Sequence, residues 1–395
     1  MTRFLRQAAL AFVVLLAAAA ALTVVIDPYD YWGTPRIAGL NARRPAGNTH
    51  LIAVKARQYA RVRPRTVVGG NSRVEVGFDP ASPAWPSDAR PVYNYGLAGM
   101  SFAELARQLE RAVAVHRPDT ILVGVDMIDF RTGEREWRAW KPPPPPPEPR
   151  LAARADMIAQ VSVSLSAVGD SISAIAAQRA RHATDLTFQG WEAPGGYEDT
   201  VANEGQAALF AQRNRENYLN YRTGPKAVRW PGPGGSAAWA ALDRLAAVAA
   251  ARHIRLIVFT YPYNADILAG FAHEGLLPAF LDLRRALAAF GAARGVAVWD
   301  FTRVSAVTTE TPPPPGDRRT HMAWYWEAGH FKAALGARMT AAMLGGVADP
   351  ALGEPLTPGN VDALNAALAR DTAALAADPA RAARLAPAFA YAERR

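Results

Sequence analysis

Strand-length apolar runs alternating with helix-length amphipathic ones predict an α/β fold, a parallel sheet with helices covering both faces. Two observations carry this expectation. The strand runs recur from residue 65 onward and again from residue 253, and the segments between them place apolar residues at helical spacing. Size agrees, since 395 residues, half hydrophobic and a fifth charged, suffice for a full core.

The first element is "QAALAFVVLLAAAAALTVVI", uncharged from Gln7 to Ile26. At 1.5 Å per residue it spans the ~30 Å hydrocarbon layer, so residues 1–26 are expected to form a signal-anchor or transmembrane helix. A cleaved signal peptide has an apolar region of about 7 to 15 residues, shorter than this one, although the alanine run offers small-residue cleavage sites. Arg3 and Arg6 precede the span, and Arg36, Arg43 and Arg44 follow it. Flanking charge therefore only weakly favours a cytoplasmic arginine tail.

Residues 27–64 read as a juxtamembrane segment, and the main domain as 65–345. Its strands are "RTVVGG", "RPVYNYGL", "DTILVGVDMI", "HIRLIVFTYP" and "GVAVWDF". The helix between the second and third, "SFAELARQLERAVAVHRP", opens on the capping signature Ser101-x-x-Glu104. "PAFLDLRRALAAFGAARG" separates the fourth and fifth. About five parallel strands thus make one three-layer α/β domain. The alternation breaks between about 131 and 250, which reads as a largely helical insertion that caps the strand ends. It opens on "KPPPPPPEP", a polyproline II spacer by composition. Residues 346–395 are alanine-rich and read as an accessory helical hairpin.

Composition excludes several functions. There is no cysteine, hence no disulfide framework, zinc-thiolate site or thiol nucleophile. The net charge of +9 is concentrated at the N-terminal end, where residues 1–70 hold ten Lys or Arg against Asp27 and Asp30. A nearly neutral body argues against a nucleic-acid groove. Neither a P-loop nor a dinucleotide fingerprint is present. The stretch "HMAWYWEAGHF" carries His321, Glu327 and His330, but this spacing matches no zinc helix, so neither metal nor cofactor is expected.

Three motifs carry chemistry. "VVGGNSRVEVG" puts Ser72 just beyond a buried strand, at the sheet edge where open α/β sheets bind ligands; a helix N-cap explains a serine there equally well. "NYGLAGMS" ends the neighbouring strand, and its Gly99 can bring an N–H to an acyl oxyanion or simply make a turn. Glu327-x-x-His330, read as one helical turn, puts a carboxylate within reach of an imidazole. A serine hydroxyl becomes a nucleophile only when such an oriented base takes its proton. Trp324 and Trp326 beside the base, and Trp137, Trp140 and Trp191 in the insertion, either stack on sugar rings or pack internally. Asp129, after the third strand, either contacts substrate or caps the next turn.

This set resembles the SGNH hydrolase superfamily, in particular its membrane-anchored bacterial branch related to alginate and teichoic-acid O-acetylation proteins, over residues 65–131 and 253–340. The resemblance implies a flavodoxin-like domain. It also implies Ser72 as nucleophile in the block Gly70-Asn71-Ser72, His330 as base and Glu327 as its orienting acid. The oxyanion donors would be the N–H groups of Ser72 and Gly99. The family's third block falls on Asp126-Met127-Ile128-Asp129, with Ile128 where an asparagine is usual. That removes a side-chain donor worth on the order of 3 kcal/mol in the transition state, for which Asn71 or Asn94 is the candidate replacement. The function implied is a membrane-anchored extracytoplasmic serine esterase or O-acyltransferase, with acetyl the leading acyl group. Its substrate would be a cell-envelope polysaccharide, and an envelope acyl-transfer complex its partner. The alternative is an inactive scaffold that binds glycan or a partner.

Overall fold

The computed structural model describes residues 2–142, 151–182, 184–230 and 234–395. Helices α1 (Thr2–Ile26) and α2 (Leu51–Val62) precede strand β1 (Thr66–Gly70), helix α3 (Ser72–Gly77), strand β2 (Val92–Gly96), helix α4 (Phe102–Val115) and strand β3 (Thr120–Val125). Helices α5 (Met127–Phe130), α6 (Glu134–Ala139), α7 (Leu151–Ser162) and α8 (Leu165–Ala177) follow. Two short strands, β4 (Asp185–Leu186) and β5 (Glu192–Ala193), lead to helices α9 (Gly195–Glu204), α10 (Gln206–Arg222) and α11 (Ala237–Ala251). Alternation resumes with β6 (Arg255–Thr260), α12 (Ala265–His273), α13 (Leu277–Arg294) and β7 (Ala297–Asp300). Then come β8 (Tyr325–Glu327), β9 (His330–Phe331), α14 (Ala333–Gly345), β10 (Glu354–Pro355), α15 (Val361–Ala377) and α16 (Pro379–Glu393).

The fold is mixed α/β, mostly helical by residue count, with a six-stranded sheet of order β2-β1-β3-β6-β7-β10. The first five strands are parallel, and β10, which the sequence did not suggest, adds antiparallel to β7. Every residue of β1 and β2 is buried. Successive side chains on a strand point to opposite faces, so burial of all of them means both faces are covered, as the apolar runs predicted. Helix α4 shows how the covering works: Phe102, Leu105, Ala106, Leu109, Ala112 and Val113 form its buried stripe. Each large side chain there contributes about 1.5–3 kcal/mol. Ser101 caps it by accepting from the Glu104 N–H at 3.3 Å. Helix α13 stops where Gly295 turns left-handed at φ +63°.

The chain separates into two compact units, one from Met1–Val62 with Pro143–Asp199, the other from Arg63–Pro142 with Thr200–Arg395. The span 131–250 is therefore not one insertion: its central part joins the N-terminal unit, and its flanks stay with the sheet. The expected spacer "KPPPPPPEP" falls mainly on 143–149, outside the described residues. The C-terminal segment, expected as an accessory hairpin, is tied into the sheet unit. Arg381 and Arg384 pair with the fully buried Asp266 of α12 at 2.5 Å, and β10 extends the sheet.

The N-terminal unit is built around a buried arginine. Arg44 Nη1 donates to Asp27 at 2.8 Å and Asp30 at 2.5 Å, its Nη2 to the Thr34 carbonyl at 2.5 Å and its Nε to the Asn41 carbonyl at 3.3 Å. Asp27 in turn accepts the N–H groups of Tyr31, Trp32, Gly33 and Thr34. Helix α1 is long and apolar enough to cross a membrane.

Candidate active site

Strand β1 ends at Gly70, and Asn71 caps α3 by accepting the Arg73 N–H on its side-chain oxygen at 3.1 Å. Ser72 is thus the first residue of a short helix leaving the carboxyl edge of the sheet. Beside it, β3 ends at Val125 and delivers Asp126, whose Oδ2 accepts from Asn71 Nδ2 at 2.9 Å.

Glu327 and His330 do not share a helical turn, as the sequence reading expected. They form the cross-strand pair that closes the β8–β9 hairpin, with Ala328 and Gly329 as its turn. A two-residue turn sets positions i and i+3 opposite each other, so the same sequence spacing produces the contact through a different structure. Glu327 Oε2 accepts the Gly329 N–H at 2.7 Å, its Oε1 is bonded to His330 Nδ1, and His330 Nε2 lies 2.7 Å from Ser72 Oγ. With the Nδ1 proton committed to the carboxylate, Nε2 is the acceptor facing the serine hydroxyl. Glu327 is 1 % exposed and the His330 side chain 17 %, so the acid is sealed and the base reaches the surface. Burial alone would raise the Glu327 pKa, but the His330 charge, the His330 and Gly329 hydrogen bonds and Arg73 outweigh it and hold the carboxyl below its ordinary value.

Two close approaches between these distant segments of chain fix this geometry. A Cβ at Gly77, the last residue of α3, would stand 2.2 Å from the Phe331 ring. One at Gly336 of α14 would stand 1.8 Å from the Gly77 carbonyl oxygen. Glycine at both positions lets the histidine-bearing segment press directly on the serine-bearing helix. Gln206 of α10 holds the hairpin from another side, donating to the carbonyls of Tyr325 at 2.6 Å and Trp326 at 3.1 Å and accepting the Met322 N–H at 2.8 Å.

Beneath the triad, Arg73 and Asp126 form a buried ion pair. The guanidinium lies 5.4 Å from the ring centres of both Tyr261 and Tyr263, and the Tyr263 hydroxyl donates to Asp126 Oδ1 at 2.9 Å. Burial would lower the Arg73 pKa, but Asp126 more than offsets it, so the guanidinium stays charged. Burial, reinforced by Asp126, raises both tyrosines and keeps them neutral. The sequence alignment of motifs had put Ile128 at the third-block position. In the fold the side chain at the strand end is Asp126, and Ile128 only donates its backbone N–H to that carboxylate at 3.3 Å.

Among the described residues, none accepts from the N–H of Ser72 or of Gly99, the latter exposed in the loop after β2 at φ +71°. Asn94 is excluded as an oxyanion donor: its Nδ2 is spent on the carbonyls of Val74, Glu75 and Phe78, and its Oδ1 accepts from Gly96. Asn71 keeps one amide hydrogen beyond that given to Asp126. Asp129 is half-buried and accepts the Phe102 N–H at the start of α4, where the Gly99 loop ends. Burial and the charge of Asp126 push its carboxyl up to about 7.

Of the five tryptophans singled out, Trp137 and Trp326 are buried, and Trp140, Trp191 and Trp324 are half-buried. Trp326 is buried with Lys332 Nζ 4.3 Å from its ring centre, and Arg338 covers half-buried Trp324 at 5.1 Å. Trp137 and Trp140 lie against Gly234 and Gly235. Exposed His321 has no part in the hydrogen-bonded triad. No group of three or more His, Asp or Glu among the described residues is arranged to hold a metal ion. Arg73 and Gln206 are the contributors that motif reading missed. Arg73 directly follows the serine, whereas no local signal marks Gln206.

The arrangement is a hydroxyl facing an oriented imidazole, with the unengaged Ser72 N–H at the start of α3, parts that nucleophilic acyl transfer requires. Comparison with protein-family models, curated proteins and solved structures yields no match to the chain.

Proposed function

We propose that the chain is a membrane-anchored serine esterase or O-acyltransferase of the SGNH hydrolase type. Its sheet domain would lie outside a bacterial inner membrane and act on an acylated, foremost acetylated, cell-envelope polysaccharide. The observation that carries this reading is the 2.7 Å approach of Ser72 Oγ to His330 Nε2, with Glu327 behind the ring. The strand order supports it. The order β2-β1-β3-β6-β7 corresponds to the flavodoxin-like doubly wound order, and its reversal falls between β1 and β3, where Ser72 and Asp126 stand.

In this mechanism His330 takes the Ser72 proton as Oγ attacks the acyl carbonyl, and Glu327 stabilises the imidazolium. The Ser72 and Gly99 N–H groups receive the charge developing on the carbonyl oxygen. Collapse expels the sugar hydroxyl, protonated by His330, and leaves an acyl-Ser72. Water or a second sugar hydroxyl, deprotonated by the same base, then releases the acyl group. In the transfer reaction an envelope partner supplies the acyl donor.

A fluorophosphonate probe and an aryl acetate test the proposal on the purified protein. Wild type should label and turn over, and Ser72→Ala should lose labelling and at least about 10⁴-fold of the rate while keeping its melting temperature. A wild type that does neither, or a Ser72→Ala variant equal to it, overturns the proposal in favour of a binding scaffold.

A further inference from the structure

We infer that the helix pair α7–α8 makes a second membrane contact, with α7 and the following turn lying in the interfacial layer of the bilayer that α1 crosses. This rests on α1 being the anchor. Residues 2–18 of α1 are all exposed, and the protein first touches the helix at Ala19. That bare length is about 25 Å, close to the ~30 Å hydrocarbon layer, so packing begins near where the hydrocarbon ends. The Thr23 hydroxyl donates to the Ser162 carbonyl at 2.5 Å and pins the end of α7 at that depth. Further along, Asp170 of α8 accepts from the Tyr29 hydroxyl at 2.6 Å, three residues beyond the end of α1. Helix α8 therefore runs away from the bilayer. Because α7 and α8 bend by only 44°, α7 runs back toward it.

Among the described residues, helix α7 packs only through its C-terminal end. Of its residues only Val161 and Ser162 are buried. A 12-residue helix buried only over its last two residues is marginal in water. Leu165 is 91 % exposed and Leu151 82 %, and Ile158 and Val163 are exposed as well. These apolar groups continue the bare apolar surface of α1, which makes lipid their occupant. Arg154, Asp156 and Gln160 on the same helix are incompatible with the hydrocarbon centre. They suit the headgroup layer, where an arginine extends its charge to water and its stem to the acyl chains.

The chain has no cysteine, so single-cysteine variants report unambiguously. Phe12→Cys, Ile158→Cys, Leu165→Cys and Arg179→Cys would be made in the full chain, spin-labelled and reconstituted in phosphatidylcholine–phosphatidylglycerol liposomes. Power-saturation spectroscopy then compares access of oxygen, which partitions into lipid, with that of a water-soluble nickel chelate. The expected result is an oxygen-to-nickel ratio at 158 and 165 several-fold above that at 179 and approaching that at 12. Nickel access at 158 and 165 equal to that at 179, with 12 still lipid-exposed, overturns the interfacial contact and leaves the anchor intact. Protection of 158 and 165 from both reagents also overturns it, indicating a protein cover such as a second copy. Nickel access at 12 instead removes the anchor itself.

Discussion

Two buried arginines, Arg44 in the N-terminal unit and Arg73 beside Ser72, are built from the same parts and do different things. Each pairs with buried aspartate amid hydrogen bonds from the surrounding chain. Around Arg44 the network is closed: every guanidinium nitrogen has an acceptor, and Asp27 accepts four backbone N–H groups besides. Around Arg73 it is open. Its Nε has no partner among the described residues, and the neighbouring Ser72 hydroxyl faces a base rather than a cap. The comparison teaches that buried charge alone does not mark a site. What distinguishes the surroundings of Arg73 is the Ser72 hydroxyl facing an oriented base.

Breaking the closed network should have the larger effect on folding. Arg44→Met leaves the buried Asp27 without its counterion, while Arg36 and Arg61 remain 3.5 Å from Asp30, and should cost about 3–5 kcal/mol, because a desolvated carboxylate keeps its penalty when the partner goes. Chemical denaturation followed by α2 and β4–β5 reporters measures it. A loss below 1 kcal/mol would mean that water reaches the network.

In the open site the matching change is Glu327→Gln, which should reduce aryl-acetate turnover about 10³-fold with little change in KM, since an amide can donate to Nδ1 and reverse the tautomer. Unchanged kcat would refute the orienting role. The same substitution tests pH dependence. The folded Glu327 pKa is depressed, so the stability it contributes is complete above the ordinary carboxylate range and is lost as pH falls through the lowered value. Wild type should thus lose more stability than Glu327→Gln on acidification below about pH 4.5.

Asp129 has the opposite sign. Its folded pKa is raised to about 7 from 3.8, so the native state holds the proton more tightly and stability falls as pH rises through that interval. Asp129→Asn keeps an acceptor for Phe102 and removes the buried charge. It should gain on the order of 3 kcal/mol relative to wild type above pH 7, with the difference vanishing below pH 4. Parallel stability curves across that range would show that Asp129 titrates normally. The smallest effect belongs to the exposed Arg65–Asp119 pair, where Arg65→Ala should change stability by less than about 1 kcal/mol.

The strand and helix signals were legible because they depend on nearest neighbours. Within "DTILVGVDMI" the run from Ile121 to Val125 holds no polar side chain, as two-sided burial requires, and it forms the buried part of β3. Ser101-x-x-Glu104 marked a helix start because the cap is local, and α4 begins at Phe102. The candidate site was legible in its residue types and only partly in its geometry. Glu327-x-x-His330 suits a helical turn and a tight hairpin equally, and the choice of hairpin depends on Gln206, more than a hundred residues away. Asn94 is a candidate donor by its residue type alone, yet its amide is consumed by the carbonyls of Val74 and Phe78.

By itself, then, the sequence determined the alternating elements, the apolar N-terminal helix and the presence of a serine, a histidine and an acid suited to acyl transfer. These follow from periodicity and side-chain chemistry, which are properties of short windows. Only the tertiary structure decided that Ser72 and His330 meet, that Asp126 rather than Ile128 stands beside them, and that residues 151–199 belong with α1 and not with the sheet. Those outcomes depend on strand order and on close approaches such as Gly77 against Gly336. Contacts between distant segments follow from how the whole chain buries its apolar surface, which no short window specifies.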